Sequence, residues 1–138
     1  MLIFILLILT AVLWGASPIL EKLGLRDVSP LVALTIRSIG VAVVLLITMG
    51  CMGKLKEIFT VDARTIAIFV LSGIMAGFLG MWTYFGALKA GATSKVVPIA
   101  ACYPLVTAFL SVLILKESIT VPRLIGTLLI IGGIWLVK

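Results

Sequence analysis

Arg37 is the only charge in LVALTIRSIGVAVVLLITMG, residues 31–50. It sits seven residues, hence about 10 Å, inside that run if the run is a helix. At a bilayer centre such a charge costs about 2.5–3.5 kcal/mol on insertion scales, less if the side chain snorkels. Arg37 must therefore reach an interface, pair with Glu21, Asp27 or Glu117, or meet an anionic group of a solute. Trp14, Ser17 and Glu21 recur at a spacing that puts them on one helical face, and Tyr103, Thr107 and Ser111 do the same further on. Together with Tyr84, these aromatic rings, hydroxyls and one guanidinium suit the non-covalent binding of an amphipathic or aromatic organic solute. The competing reading has each hydroxyl bonding the carbonyl one turn back and the aromatics forming interface belts. Trp82 and Trp135 are assigned to belts or packing. Nothing in the chain suggests covalent chemistry. There is no His, Cys51 and Cys102 are far apart and read as packing residues, and no phosphate loop or nucleophile constellation is present. No cofactor or metal is expected, and the protein reads as a carrier or binder, not an enzyme.

The elements that position these residues follow from composition. Sixty-three per cent of the 138 residues are hydrophobic and 12 per cent charged, against about 25 per cent charge in an ordinary soluble domain. A soluble chain of this size buries only about two-thirds of its surface, too little to hide so much apolar side chain. A lipid bilayer is the solvent that fits. The net charge of +6 comes from basic residues placed singly between apolar runs, the pattern of membrane anchors and not of a nucleic-acid footprint.

Spanning takes about 20 mostly apolar residues, and five stretches qualify, at about 2–20, 31–50, 65–88, 96–115 and 121–137. The fold class is thus an all-α integral membrane protein of about five transmembrane helices, organised as one domain over 1–138. The strip LKESITVPRLIG, residues 115–126, reads as a tight membrane hairpin. Ser118 or Thr120 can cap, Pro122 suits a first helical turn, and Lys116, Glu117 and Arg123 lie among headgroups. The connector at 51–64 has room for one interfacial turn with Ile58 and Phe59 toward lipid. The first apolar run lacks a basic lead and a small-residue cleavage site, so it reads as a span and not a signal peptide.

Lys and Arg usually mark the cytoplasmic side. Here Lys54, Lys56, Arg64, Lys116 and Arg123 fall on one side, and Lys22, Arg26, Lys89, Lys95 and Lys138 on the other, a tie of five to five. The tie predicts dual topology, with copies inserted both ways.

The stretches LWGASPILEKLGL (13–25), SPLVALTIRSIG (29–40) and YFGALKAGATSKVVPIAACYPLVTAFLSVLILKESITVPRLIGTLLIIGGIWLV (84–137) resemble the EamA-type domain of the drug/metabolite transporter superfamily. The resemblance covers nearly the whole chain in order. It implies a single five-span half, similar to the short bacterial and archaeal members, in a prokaryotic inner or plasma membrane. A lone half needs its counterpart, and an inverted copy would serve, because such transporters hold substrate between inverted repeats. Similarity to the small multidrug resistance proteins assigns dimer contact to the last span, whose Gly126 and Gly133 share one face. Those proteins also use an embedded acid in their first helix. Here the equivalent register falls near Trp14, and all five acids, Glu21 included, lie in links or at span ends. A proton-coupled mechanism through a central carboxylate is disfavoured unless Glu21 sits deeper than that.

The expected function is transport, as an exporter, of small organic metabolites or drug-like solutes by alternating access in an antiparallel homodimer. The expected solute-binding residues are Trp14, Ser17, Arg37, Tyr84, Tyr103 and Thr107. Pro18 and Pro104 are expected to bend their helices and free a carbonyl at membrane depth. Gly73, Gly77, Gly80, Tyr84, Ala87 and Gly91 are expected to form a smooth helical face for packing within the subunit or for lining a cavity. Alternatives are a flippase for a polar or lipid-linked substrate, and a non-transporting accessory membrane subunit.

Overall fold

Each apolar run folds into a helix because in lipid only a helix or a closed barrel satisfies every backbone N–H and C=O internally. The computed structural model describes residues 1–118 and 120–137, and of Arg123 and Val137 the backbone. The anchoring roles expected of the Arg123 side chain and of Lys138 lie outside the described residues. Helix α1 is Leu2–Gly24, α2 is Pro30–Cys51, and a 3-10 turn covers Leu55–Thr60. The third span is built from α3 (Ala63–Ser72), a π-helical segment Gly73–Gly80 and α4 (Met81–Ala90). Helices α5 (Thr93–Ala100) and α6 (Tyr103–Leu115) make the fourth span, and α7 (Val121–Val137) the fifth. No strand occurs among the described residues. Four of the spans are long and apolar enough to cross a bilayer by themselves, and the apolar part of the fifth is shorter, Leu124–Leu136.

Local sequence sets the ends. Ser29 caps α2, its hydroxyl accepting from the Val32 N–H at 3.4 Å, with Pro30 supplying a first residue that lacks the orphan donor. Asp62 caps α3 by accepting from the Thr65 N–H at 2.9 Å. Hydrogen bonding from Thr65, side chain first and backbone next, holds the exposed Asp62 carboxylate below its ordinary pKa of 3.8. Pro122 stands in the first turn of α7, as the hairpin reading requires. Lys116 ends α6 in the left-handed region (φ 55°), its N–H donating back to the Ser111 carbonyl. The connector after α2 holds a 3-10 turn, in which Phe59 is 87% exposed and Ile58 41%.

The chain divides into two compact units, Met1–Lys89 and Ala90–Lys138. In the first, the buried residues cluster toward one end of the helices: Pro18, Leu25, Leu34, Phe85 and Leu88. The same end is tied by cations. The Lys22 ammonium donates to the carbonyls of Leu88 and Lys89 at the C-terminus of α4, and the Lys89 ammonium donates to the Val28 carbonyl at 2.8 Å. Lysines at a helix C-terminus satisfy carbonyls that have no partner in the helix and complement its dipole. Leu2 through Leu9, at the opposite end of α1, are all more than half exposed. In the second unit α5 packs against α7.

Three expectations are refined. Span four does not merely bend at Pro104. The helix ends at Ala100, turns through Ala101 and Cys102, and restarts at Tyr103, which places Pro104 in a first turn where its missing N–H costs nothing. The glycine stripe of span three is not one α-helical face, because Gly73–Gly80 runs as a π-helix with i→i+5 bonding. A methyl group at Gly73 or Gly77 would meet no atom within 4 Å, whereas one at Gly80 would lie 3.2 Å from the Met75 carbonyl oxygen. Cys51, read as a packing residue, is exposed at the end of α2, while Cys102 is half-buried.

Candidate functional site

Helix α1 runs four residues past the expected end of span one, to Gly24. Glu21 therefore lies inside the helix, about one turn from its end. Of the two placements expected for it, a link or a span end, it takes the span end, in the last turn of α1. The Glu21 side chain is only 11% exposed. Its Oε1 accepts a hydrogen bond from the Ser17 hydroxyl at 2.9 Å, one turn back, and lies 3.6 Å from Arg37 Nε. Of the three acids offered as partners for Arg37, the structure selects Glu21. The selection has a geometric cause. In the α1–α2 hairpin, joined by residues 25–29, the Arg37 backbone is deeper in its helix than Glu21, and the long side chain reaches back toward the helix ends. The pair thus forms below the end of α1 and not at mid-span, where its cost would be highest.

This pair opens on a cavity of about 390 Å³ whose walls include Ser17, Leu20, Glu21, Ile36, Arg37 and Phe85. The size falls within the range of small-molecule sites, as does the ratio of a few polar groups to mainly apolar walls. The polar groups are unevenly spent. Both contacts of Glu21 use Oε1, and Oε2 accepts no hydrogen bond among the described residues. At 3.6 Å the ion-pair contact is longer than a hydrogen bond, and the Arg37 guanidinium donates none among the described residues. Phe85 is buried (2% exposed), and its ring lies 6.2 Å from that of Tyr84 in a tilted arrangement. A buried ring thus stands behind a half-exposed guanidinium and a half-engaged carboxylate.

The six expected site residues separate accordingly. Ser17 and Arg37 share the cavity. Tyr84 is half-buried beside Phe85 without lining it. Trp14, on the same face of α1 as Ser17 but one turn away, is 65% exposed and outside the lining. Tyr103 and Thr107 belong to the second unit, where the Thr107 hydroxyl donates to the Tyr103 carbonyl at 3.2 Å, the i−4 arrangement set against a site role. Sequence reasoning left out Glu21 as a lining group and did not find Phe85. The signal for Glu21 was present, since it stands one turn from Ser17 on the Trp14 face. Phe85 carried none, because one apolar ring among many is indistinguishable until packing is known. Trp82, assigned to belts or packing, stacks on Phe78 at 5.9 Å, and Trp135 is 77% exposed.

The model of the EamA-like transporter family matches residues 1–138. An uncharacterized protein of Methanocaldococcus jannaschii is 32% identical over 132 residues, covering 95% of this chain and 92% of the relative. An uncharacterized transporter encoded in the cobO 3′ region of a Sinorhizobium species is 25% identical over 127 residues, with 91% and 89% covered. An uncharacterized transporter of Archaeoglobus fulgidus is 24% identical over 129 residues, which are 92% of this chain but 45% of that protein. No solved structure matches. With a helical architecture of membrane-length spans and a family match from the first residue to the last, this chain belongs to the EamA-like transporter family.

Proposed function

We propose that the chain is one half of a carrier that exports small organic solutes across a prokaryotic plasma membrane, working by alternating access as an antiparallel homodimer. The observation that carries this reading is the pattern of lengths among its relatives. The unit fills about nine-tenths of two relatives and under half of a third, the Archaeoglobus transporter. A unit that occurs both alone and as part of a chain about twice as long is most simply a half that is either fused to a second half or joined by one. The odd number of apolar helices and the five-to-five division of basic residues support an inverted second copy, because neither insertion direction is favoured. The glycines of α7 supply the contact, since small residues let helices approach closely where lipid removes the hydrophobic drive. Solute binds in the cavity beside Ser17, Glu21 and Arg37, with Trp14 and Tyr84 contributing as the two copies close around it.

The test is flux. The purified chain, reconstituted alone in liposomes, is expected to release a loaded solute mixture in a saturable, solute-selective way. Absence of flux from liposomes that hold correctly folded dimer would assign the chain an accessory role instead, and movement of labelled lipid without solute would make it a flippase.

A further inference from the structure

The connector between α2 and α3 has an edge that the protein leaves uncovered. Gly53 takes the left-handed region (φ 70°), and the N–H groups of Gly53 and Lys54 donate back to the carbonyls of Gly50 and Met49 at 3.1 and 2.9 Å. This reversal lays the 3-10 turn Leu55–Thr60 against the end of α2. Side chains three apart line up in such a turn. Leu55 and Ile58 form one edge, each 41% exposed, with Leu55 reaching toward Gly50. Glu57 and Thr60 form a second, closed by the Thr60 hydroxyl donating to the Glu57 carbonyl at 2.8 Å. Lys56 and Phe59 form the third, both exposed, Phe59 to 87%. Because the turn joins two membrane spans, at Cys51 and Ala63, it stands at the level of the headgroups.

The charges around it are available. Lys54, Lys56 and Arg64 stand against Glu57 and Asp62, and the Asp62 carboxylate is already taken by the N-terminus of α3. The ammonium groups of Lys54 and Lys56 bond no protein group among the described residues. At the opposite end of the same unit, Lys22 and Lys89 donate to backbone carbonyls, and Arg26 adjoins Asp27. Cations that are equal in number along the sequence are thus unequal in what they leave for lipid. We propose that this connector docks on anionic phospholipid, with Lys54 and Lys56 on the lipid phosphates and the Phe59 ring in the acyl boundary beneath them. A zwitterionic lipid fits less well, because its own cation offsets the phosphate that the lysines meet. The inference goes beyond the transport reading and depends neither on the solute nor on the pairing of copies.

A reporter at the turn tests it. Phe59→Trp is made in a full chain whose Trp14, Trp82 and Trp135 are replaced by Phe, and the protein is reconstituted in vesicles of equal phosphatidylglycerol and phosphatidylcholine. Both leaflets have the same composition, so the direction of insertion does not alter the reading. Bromines are carried on the chains of one lipid or of the other. The glycerol lipid is expected to quench the indole with the higher relative association constant, by roughly fivefold for each lysine. Lys54→Gln/Lys56→Gln is expected to bring the two lipids level, and 1 M salt to narrow the difference. Arg26→Gln, at the other end of the unit, is expected to leave it unchanged. Equal quenching by both lipids in the parent overturns the proposal, as does a preference that survives loss of the two lysines or falls equally with Arg26→Gln. Quenching by neither lipid also overturns it, since the ring would then face water or another protein surface.

Discussion

Replacing Glu21 by Ala leaves the Arg37 guanidinium in an apolar wall without its counter-charge, and the Ser17 hydroxyl without its acceptor. The expected cost is about 1–3 kcal/mol, the penalty for stranding a partly buried polar group. Thermal unfolding in detergent would read it as a lowered midpoint. The double variant Glu21→Ala/Arg37→Leu is expected to recover part of that loss, because removing both charges also removes their desolvation. Additive losses would show that the 3.6 Å contact contributes nothing. Asp62 makes a second prediction at this scale. Its carboxylate is held below 3.8 by Thr65, so its capping contribution is fully present above that value. It disappears as pH falls through the lower folded-state pKa. Asp62→Asn, which can still accept from the Thr65 N–H, is expected to flatten the acid end of a melting-temperature profile between pH 7 and pH 2. An unchanged profile would place the acid sensitivity elsewhere.

At the scale of the element, α7 was legible as a helix from its apolar run, but what its glycines face could not be read from the string. Gly126 and Gly133 have open space where a side chain would begin. A Cβ at either position therefore meets no atom of the protomer, and leucine there is expected to obstruct a close-packed neighbour. Gly126→Leu/Gly133→Leu is expected to give a folded monomer by light scattering in detergent. A persistent dimer would move the contact to another helix. The glycines of span three show the complementary lesson. Their 4-3-4-3-4 spacing defines a face only if the segment is α-helical, and the π-helical stretch Gly73–Gly80 removes that premise. Spacing predicts a face through an assumed period, and hydrogen bonding decides the period. Span four behaves similarly: Pro104 marked a distortion correctly, whereas the full break at Ala101 and Cys102 depends on how the flanking carbonyls find partners.

For the whole molecule, the five-to-five division of basic residues predicts that both insertion directions occur. Cysteine is introduced singly at the α1–α2 link and at the 3-10 connector in a background lacking Cys51 and Cys102. Each site is then labelled in intact cells with a membrane-impermeant maleimide. Both sites are expected to label in part. Full labelling of one with none of the other would establish a single orientation and require a separately encoded, inverted partner. Removing two lysines from one side of the tie, for example Lys54→Gln/Lys56→Gln, is expected to shift the population toward one orientation and reduce flux.

Composition and hydropathy alone determined that this chain is helical, that lipid is its solvent, and where its spans begin and end to within a few residues. Those properties are sums over many side chains, and no single contact can change them. That Arg37 is the charge to explain was also legible, because one guanidinium in an apolar run is conspicuous whatever its surroundings. Which acid answers it, which ring backs it, and which donors are left for a ligand were decided only by the tertiary structure. Each depends on how far α1 extends, how the α1–α2 hairpin sets the relative depth of two residues, and how an arginine side chain leans, which are distances between residues far apart in sequence.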